Sequence, residues 1–123
     1  MSGWDDRTLI EDLLANGVDD WVYAAWVQGV AQRSGLTDSA MIRQLSIGVI
    51  AEVLVAGLMV AGDVIDGKHH TWNSTPADSL RRITAEWTAV GEVQLYPGQI
   101  VWLCNTAEGN ERGQAVLDRE TEE

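Results

Sequence analysis

The spacing of apolar residues changes at Gly57, and that change confines the chain to a mixed helix-and-sheet fold. Before Gly57, apolar side chains recur three and four positions apart, the period of a helix with one buried face. Asp5 or Asp6 is placed to cap a first helix, whose stripe is Leu9, Ile10, Leu13 and Leu14 and whose stop is Gly17. Asp19 or Asp20 is placed to cap a second, with Val22, Ala25, Trp26, Gly29 and Val30 in period until Gly35. Thr37 or Asp38 opens a third that carries Met41, Ile42, Leu45, Val49, Val53 and Leu54. Three helices joined by short loops predict an antiparallel or orthogonal cluster.

After Gly57 the apolar runs are short. Leu58–Val60 and Val64–Ile65 precede Asp66-Gly67, a strong turn dipeptide, and Lys68 to Trp72 returns from it as a strand. Ser74-Thr75-Pro76 then supplies a cap and a first-turn proline for a helix carrying Leu80, Ile83, Trp87 and Val90, which stops at Gly91. Val93–Leu95, the turn Tyr96-Pro97-Gly98 and Ile100–Leu103 predict a second hairpin. From Thr106 the apolar pattern thins into a loop, and residues 118–123 read as a frayed acidic tail. The expected fold is α+β: an N-terminal three-helix cluster, then a small antiparallel sheet of two hairpins with one further helix packed on it. Residues 1–117 form one domain in this scheme.

Charge sets the sign of any partner. Nineteen acidic residues against eight basic ones give a formal charge of −11. Such a field repels nucleic-acid backbones and anionic lipid and attracts cationic surfaces. The third helix offers Arg43 alone to a phosphate, and the doublet Arg81-Arg82 is balanced by Asp78 and Glu86, so DNA binding is disfavoured. The apolar stretch Ile47–Gly62 is shorter than the ~20 residues that span a bilayer and is interrupted by glycine. The N-terminus is acidic where a signal peptide would be basic, and a single cysteine makes no internal disulfide. These features predict a cytoplasmic protein without a membrane segment.

Few residues carry chemistry. Asp63, Asp66 and His70 could hold a metal, but adjacent histidines on a strand point to opposite faces, so His69 and His70 cannot both join them. Two turn aspartates beside solvated histidines is the simpler account. Cys104 follows the apolar run Ile100–Leu103 and is expected to act as a small hydrophobe. Glu52 is expected at a helix edge facing water. No phosphate loop, nucleophile elbow or dinucleotide fingerprint occurs. The predicted chain has no catalytic residues, no metal and no cofactor. Acidic pairs beside aromatics remain. Asp19-Asp20 precede Trp21 and Tyr23, where carboxylates serve either as helix caps or as the rim of a binding surface with an aromatic anchor.

The second half carries Gly62-Asp63, Asp66-Gly67, Trp72, Ser79-Leu80-x-x-Ile83-x-x-Glu86-Trp87 and Gly98-x-x-Val101-Trp102-Leu103-x-Asn105-Thr106. Over residues 36 to 110 this arrangement resembles small acidic actinobacterial immunity proteins of polymorphic-toxin and contact-dependent inhibition systems. The resemblance implies a non-enzymatic cytosolic protein that neutralises a secreted toxin domain by binding it. The expected partner is a basic toxin domain, and the expected contacts are Asp19, Asp20, Trp21, Tyr23, Asp63 and Asp66. Two other functions stay open: a winged-helix type of transcriptional regulator, and a small metal-dependent hydrolase using Asp63, Asp66 and His70.

Overall fold

The computed structural model describes residues 7–91 and 93–122. Helix α1 (Leu9–Gly17) is followed by a short strand β1 (Val22–Tyr23), then α2 (Ala24–Arg33) and α3 (Ser39–Val55). Strands β2 (Met59–Ile65) and β3 (Lys68–Thr71) precede α4 (Pro76–Val90), β4 (Trp102–Asn105) and α5 (Ala107–Thr121). The fold is mixed α+β, and its four strands form one antiparallel sheet in the order β1-β4-β2-β3.

Helix α1 begins with a reciprocal capping box. Thr8 accepts a hydrogen bond from the Glu11 amide, and the Glu11 side chain accepts one from the Thr8 amide. Thr8 therefore takes the capping role expected of Asp5 or Asp6, both of which lie outside the described residues. Asp38 and Thr75 cap α3 and α4 as anticipated, with Pro76 in the first turn of α4. Asp66 and Gly67 both take positive φ, 52° and 75°, which is the backbone a two-residue hairpin requires.

A clean cluster of three N-terminal helices does not form. Asp19 and Asp20 cap nothing, because α2 starts at Ala24 and Tyr23 holds its N-cap position with no side-chain bond. Trp21-Val22-Tyr23 is extended instead: Val22 is wholly buried, and its neighbours face the other way and are half-buried. That alternation of β-branched and aromatic residues suits a strand, and it pairs Val22 with Leu103 and Tyr23 with Trp102.

The second predicted hairpin is also absent. A turn does form at Tyr96–Gln99, but Ile100 adopts φ 76° and breaks the extended run. Gln28 then takes the backbone groups that a partner strand would have used. Its amide nitrogen donates to the Val93 carbonyl at 3.1 Å, and its oxygen accepts from the Leu95 amide at 2.9 Å. Only Trp102–Asn105 continues as strand, inserted between β1 and β2.

The region expected to be loop and tail is the 15-residue helix α5, and residues 118–121 are its last turn. Thr106 caps it by accepting from the Gly109 amide at 3.1 Å. Gly109 lies against the Leu58 carbonyl and Gly113 against the Leu14 carbonyl, so the α5 backbone approaches its neighbours as closely as only glycine allows. At the far end Arg7 donates from two nitrogens to Glu120 and from a third to Asp12, while Arg119 pairs with Glu11 at 2.9 Å. These contacts raise the Arg7 pKa further, chiefly through Glu120, and lower those of Glu120 and Glu11.

The core lies between the inner sheet face and helices α1 to α4. Leu13, Val22, Ile50, Val53, Met59, Ile83, Trp87, Val101 and Leu103 are at most 1% exposed. Trp87 is thus a core residue, as its place on the α4 stripe implied. Met41 departs from its predicted stripe and is 52% exposed. Ser46, completely buried within α3, donates its hydroxyl to the Ile42 carbonyl at 2.7 Å.

Candidate protein-binding site

The outer face of the sheet is built by register. Paired residues of an antiparallel sheet share a face, so Tyr23, Trp102, Gly62 and Thr71 form one row across all four strands. Cys104 and Val60 form the next, with Val64 and His69 on the other side of the row. Gly62 is buried, Thr71 is exposed, and the rest are half-buried. The side chains of this face are accordingly available at the surface while their backbones are fixed in the sheet.

Aromatic rings cluster here. Tyr23 and Trp102 meet edge to face with centroids 5.2 Å apart, and Trp21 meets Trp102 in the same way at 6.2 Å. The imidazole of His69 lies 6.5 Å from the Trp21 ring, and its Nε2 is 3.0 Å from the Trp102 carbonyl oxygen. In that contact Nε2–H donates to the carbonyl, which leaves Nδ1 to accept from the Thr71 hydroxyl at 3.3 Å. Gly62 makes room for this arrangement: a Cβ there would sit 2.6 Å from His69 Cε1 and 2.3 Å from the His70 carbonyl.

Asp19 and Asp20 are exposed and adjoin Trp21. Among the described residues neither forms an ion pair; Asp20 accepts from the Trp21 amide at 2.8 Å and so sets the turn into β1. Six of the basic residues are paired with carboxylates elsewhere: Arg7, Arg33, Arg81, Arg82, Arg112 and Arg119. The negative charge beside Trp21 is therefore not neutralised locally by any described residue.

No family model, curated protein or solved structure matches the chain. Functional inference consequently rests on the geometry of its own residues.

Four of the anticipated contact residues, Asp19, Asp20, Trp21 and Tyr23, come together on this one surface. Asp63 and Asp66 do not join them. Asp63 is next to Gly62 on β2 and so faces the opposite side from Trp102; it accepts a hydrogen bond from the Trp72 indole at 2.9 Å. The Arg82 guanidinium covers that indole at 3.8 Å from its ring centre, which ties the hairpin to α4. Asp66 sits in the turn at the tip of the hairpin. Among the described residues, no three or more of His, Cys, Asp and Glu gather as metal ligands, so Asp63, Asp66 and His70 do not make a metal centre by themselves.

Cys104 is half-buried on the outer face, and burial pushes its thiol pKa up. Its Sγ donates to the Asn105 carbonyl while His69 is committed to Trp102, so no cysteine–histidine nucleophile pair forms there. Glu52 is exposed, as expected. Among the described residues no helix is long and apolar enough to cross a membrane. Trp102 and His69 belong to the site although sequence reasoning does not select them. The signal for Trp102 is the alternation of Val101 and Leu103 inward with Trp102 and Cys104 outward.

Proposed function

We propose that this protein acts as an immunity protein, binding a basic toxin domain in a stoichiometric complex through the outer face of its sheet. One observation carries the proposal: Trp21, Tyr23 and Trp102 form a half-buried aromatic cluster beside two carboxylates that pair with no basic residue among those described. Rigid aromatics on a sheet supply contact area at small entropic cost, and rim charges of one sign steer an oppositely charged partner. A domain that cuts nucleic acid carries the basic surface this face would attract, and a bound acidic protein excludes its anionic substrate.

Coexpression with a basic toxin domain, sought first among the products of neighbouring genes, tests the proposal. Growth should be restored, and the two chains should elute as a one-to-one complex. Asp19→Lys with Asp20→Asn should slow association and flatten its salt dependence while leaving the fold intact, because asparagine can still accept from the Trp21 amide. Absence of both rescue and complex at micromolar concentration would sink the proposal.

A further inference from the structure

Among the side chains of the outer sheet face, His69 is of the type whose charge changes near neutral pH. Its ring reaches across Gly62 of β2 to the Trp102 carbonyl of β4, 3.0 Å from Nε2, and stands 6.5 Å from the Trp21 ring. A carbonyl oxygen only accepts, so Nε2 keeps its proton in either charge state and Nδ1 is the atom that gains or loses one. The Thr71 hydroxyl, 3.3 Å from Nδ1, donates to the bare nitrogen and, turned about its C–O bond, accepts from the protonated one. Both charge states therefore fit the same geometry. Protonation changes the charge of this face, not its shape.

We propose that uptake of a proton by His69 weakens the hold of the outer sheet face on its cationic partner, so that binding declines as pH falls. This rests on the partner-binding reading of the same face and adds its regulation. The imidazolium stands beside Trp21, and the preceding residues Asp19 and Asp20 supply the negative charge that draws the partner in. Proton and partner cation then compete for the same two carboxylates. A partner that covers the ring also strips water from the imidazolium, which disfavours the charged form. Both effects act in one direction, and linkage makes them reciprocal: the factor by which a bound partner disfavours the proton is the factor by which the proton weakens the partner.

Other titratable groups around the ring do not supply this effect. Tyr23 and Cys104 share its face, but phenols and thiols are uncharged throughout the acid range, and burial pushes the Cys104 thiol further up. Asp63, Lys68 and His70 occupy the alternate positions of β2 and β3 and face the opposite side, and Asp66 lies in the turn.

The chain has 2 histidines, so His70→Gln leaves His69 as its one imidazole and alters only an exposed position on the opposite side. In that variant, without any partner, NMR from about pH 8 to about pH 5 should show the Trp21 and Trp102 indole resonances moving with the same midpoint as the His69 ring. The indole of Trp87, in the core, should stay still. With a basic toxin domain, affinity should fall roughly three- to tenfold between about pH 7.5 and about pH 5.5, and by less at high salt. His70→Gln should behave as the wild type. His69→Gln, which keeps a donor for the Trp102 carbonyl but takes up no proton, should lose this dependence. Any change that originates in the toxin is common to both chains and cancels from their ratio. The NMR measurement needs no substitution at position 69, so it decides the matter even where His69→Gln does not fold. Equal pH dependence in the wild type and His69→Gln, or a Trp21 indole that ignores protonation of His69, would overturn the proposal. If the indoles follow His69 but no complex forms at any pH, the partner reading fails and the proton-coupled ring remains.

Discussion

Replacing a helical glycine by alanine should have opposite effects at Gly113 and Gly48, and the difference tests how α5 is seated. In a free helix the change favours the fold by ~1 kcal/mol, because alanine has less backbone entropy to lose. Gly48 lies on the exposed side of α3, and a Cβ there meets nothing within 4 Å. Gly48→Ala should therefore gain the full increment. At Gly113 a Cβ would stand 2.2 Å from the Leu14 carbonyl oxygen and 2.8 Å from Val18 Cγ2. Ordinary contact begins near 3.4 Å, so α1 and α5 must separate by about 1 Å. The obstructing atom is backbone and cannot rotate away. Overpacking of that kind costs ~1–3 kcal/mol, and separation also pulls on the Arg7–Glu120 pair at the other end. Net destabilisation of up to ~2 kcal/mol should remain after the helix gain. For a domain of this length each kcal/mol moves Tm by roughly 3–6 °C. Urea denaturation should show a lower midpoint for Gly113→Ala and a higher one for Gly48→Ala, with similar slopes. A Gly113→Ala protein at least as stable as the wild type would mean that α5 does not lie on α1 as described.

Trp87→Ala should cost ~3–5 kcal/mol, read by denaturant titration, because a wholly buried ring is removed; a melting temperature near that of the wild type would remove Trp87 from the core. Glu11 and Glu120 have pKa values below the ordinary 4.5, the first chiefly through Arg119 and the second chiefly through Arg7. A lowered folded pKa means stability that is complete above the unfolded value and lost as pH falls through the folded pKa, so Tm should drop more steeply in the wild type than in Glu120→Gln below pH 4.5. Parallel Tm profiles would contradict the α1–α5 ion pairs. Asp66→Asn should leave stability within ~0.5 kcal/mol and partner affinity unchanged, since Asn-Gly serves the same turn and Asp66 lies outside the paired rows that carry the aromatic rings. A loss of affinity would bring the tip into the interface.

Legibility in the sequence follows how local each cause is. Asp38, Thr75-Pro76 and Asp66-Gly67 act on backbone within three residues, and the elements they bound are the ones periodicity and capping identify. Helix α5 is not among them, because Gly109 and Gly113 look like helix breakers until the Leu58 and Leu14 carbonyls they lie against are known. The same holds for β4, whose partners are distant in sequence, in pairs such as Val60↔Cys104 and Val22↔Leu103. Gln28 satisfies the Val93–Leu95 backbone from 65 to 67 positions away, a link that no periodicity displays. Of the candidate site, the run Asp19–Tyr23 is legible as chemistry, but its companions Trp102 and His69 arrive only through pairing register.

The strongest discrimination among the aspartates comes from what each one does for the fold. Capping would have explained Asp19 and Asp20 without any partner, and it fails because α2 starts at Ala24 with no side-chain cap. One oxygen of Asp20 is used by the Trp21 amide, and Asp19 forms no ion pair among the described residues. Asp63 stands in contrast: it holds the Trp72 indole, and with Arg82 it fastens the hairpin to α4. Neighbouring carboxylates repel each other, so an adjacent pair with so little internal use carries a small standing cost. That cost falls away when a cation approaches, and the surface beside the pair is where three aromatic rings already converge. Replacement of Asp19 and Asp20 by asparagine should consequently leave the fold as stable or slightly more so while partner binding weakens, whereas Asp63→Ala, which removes the acceptor of the Trp72 indole, should loosen the hairpin and leave binding largely intact.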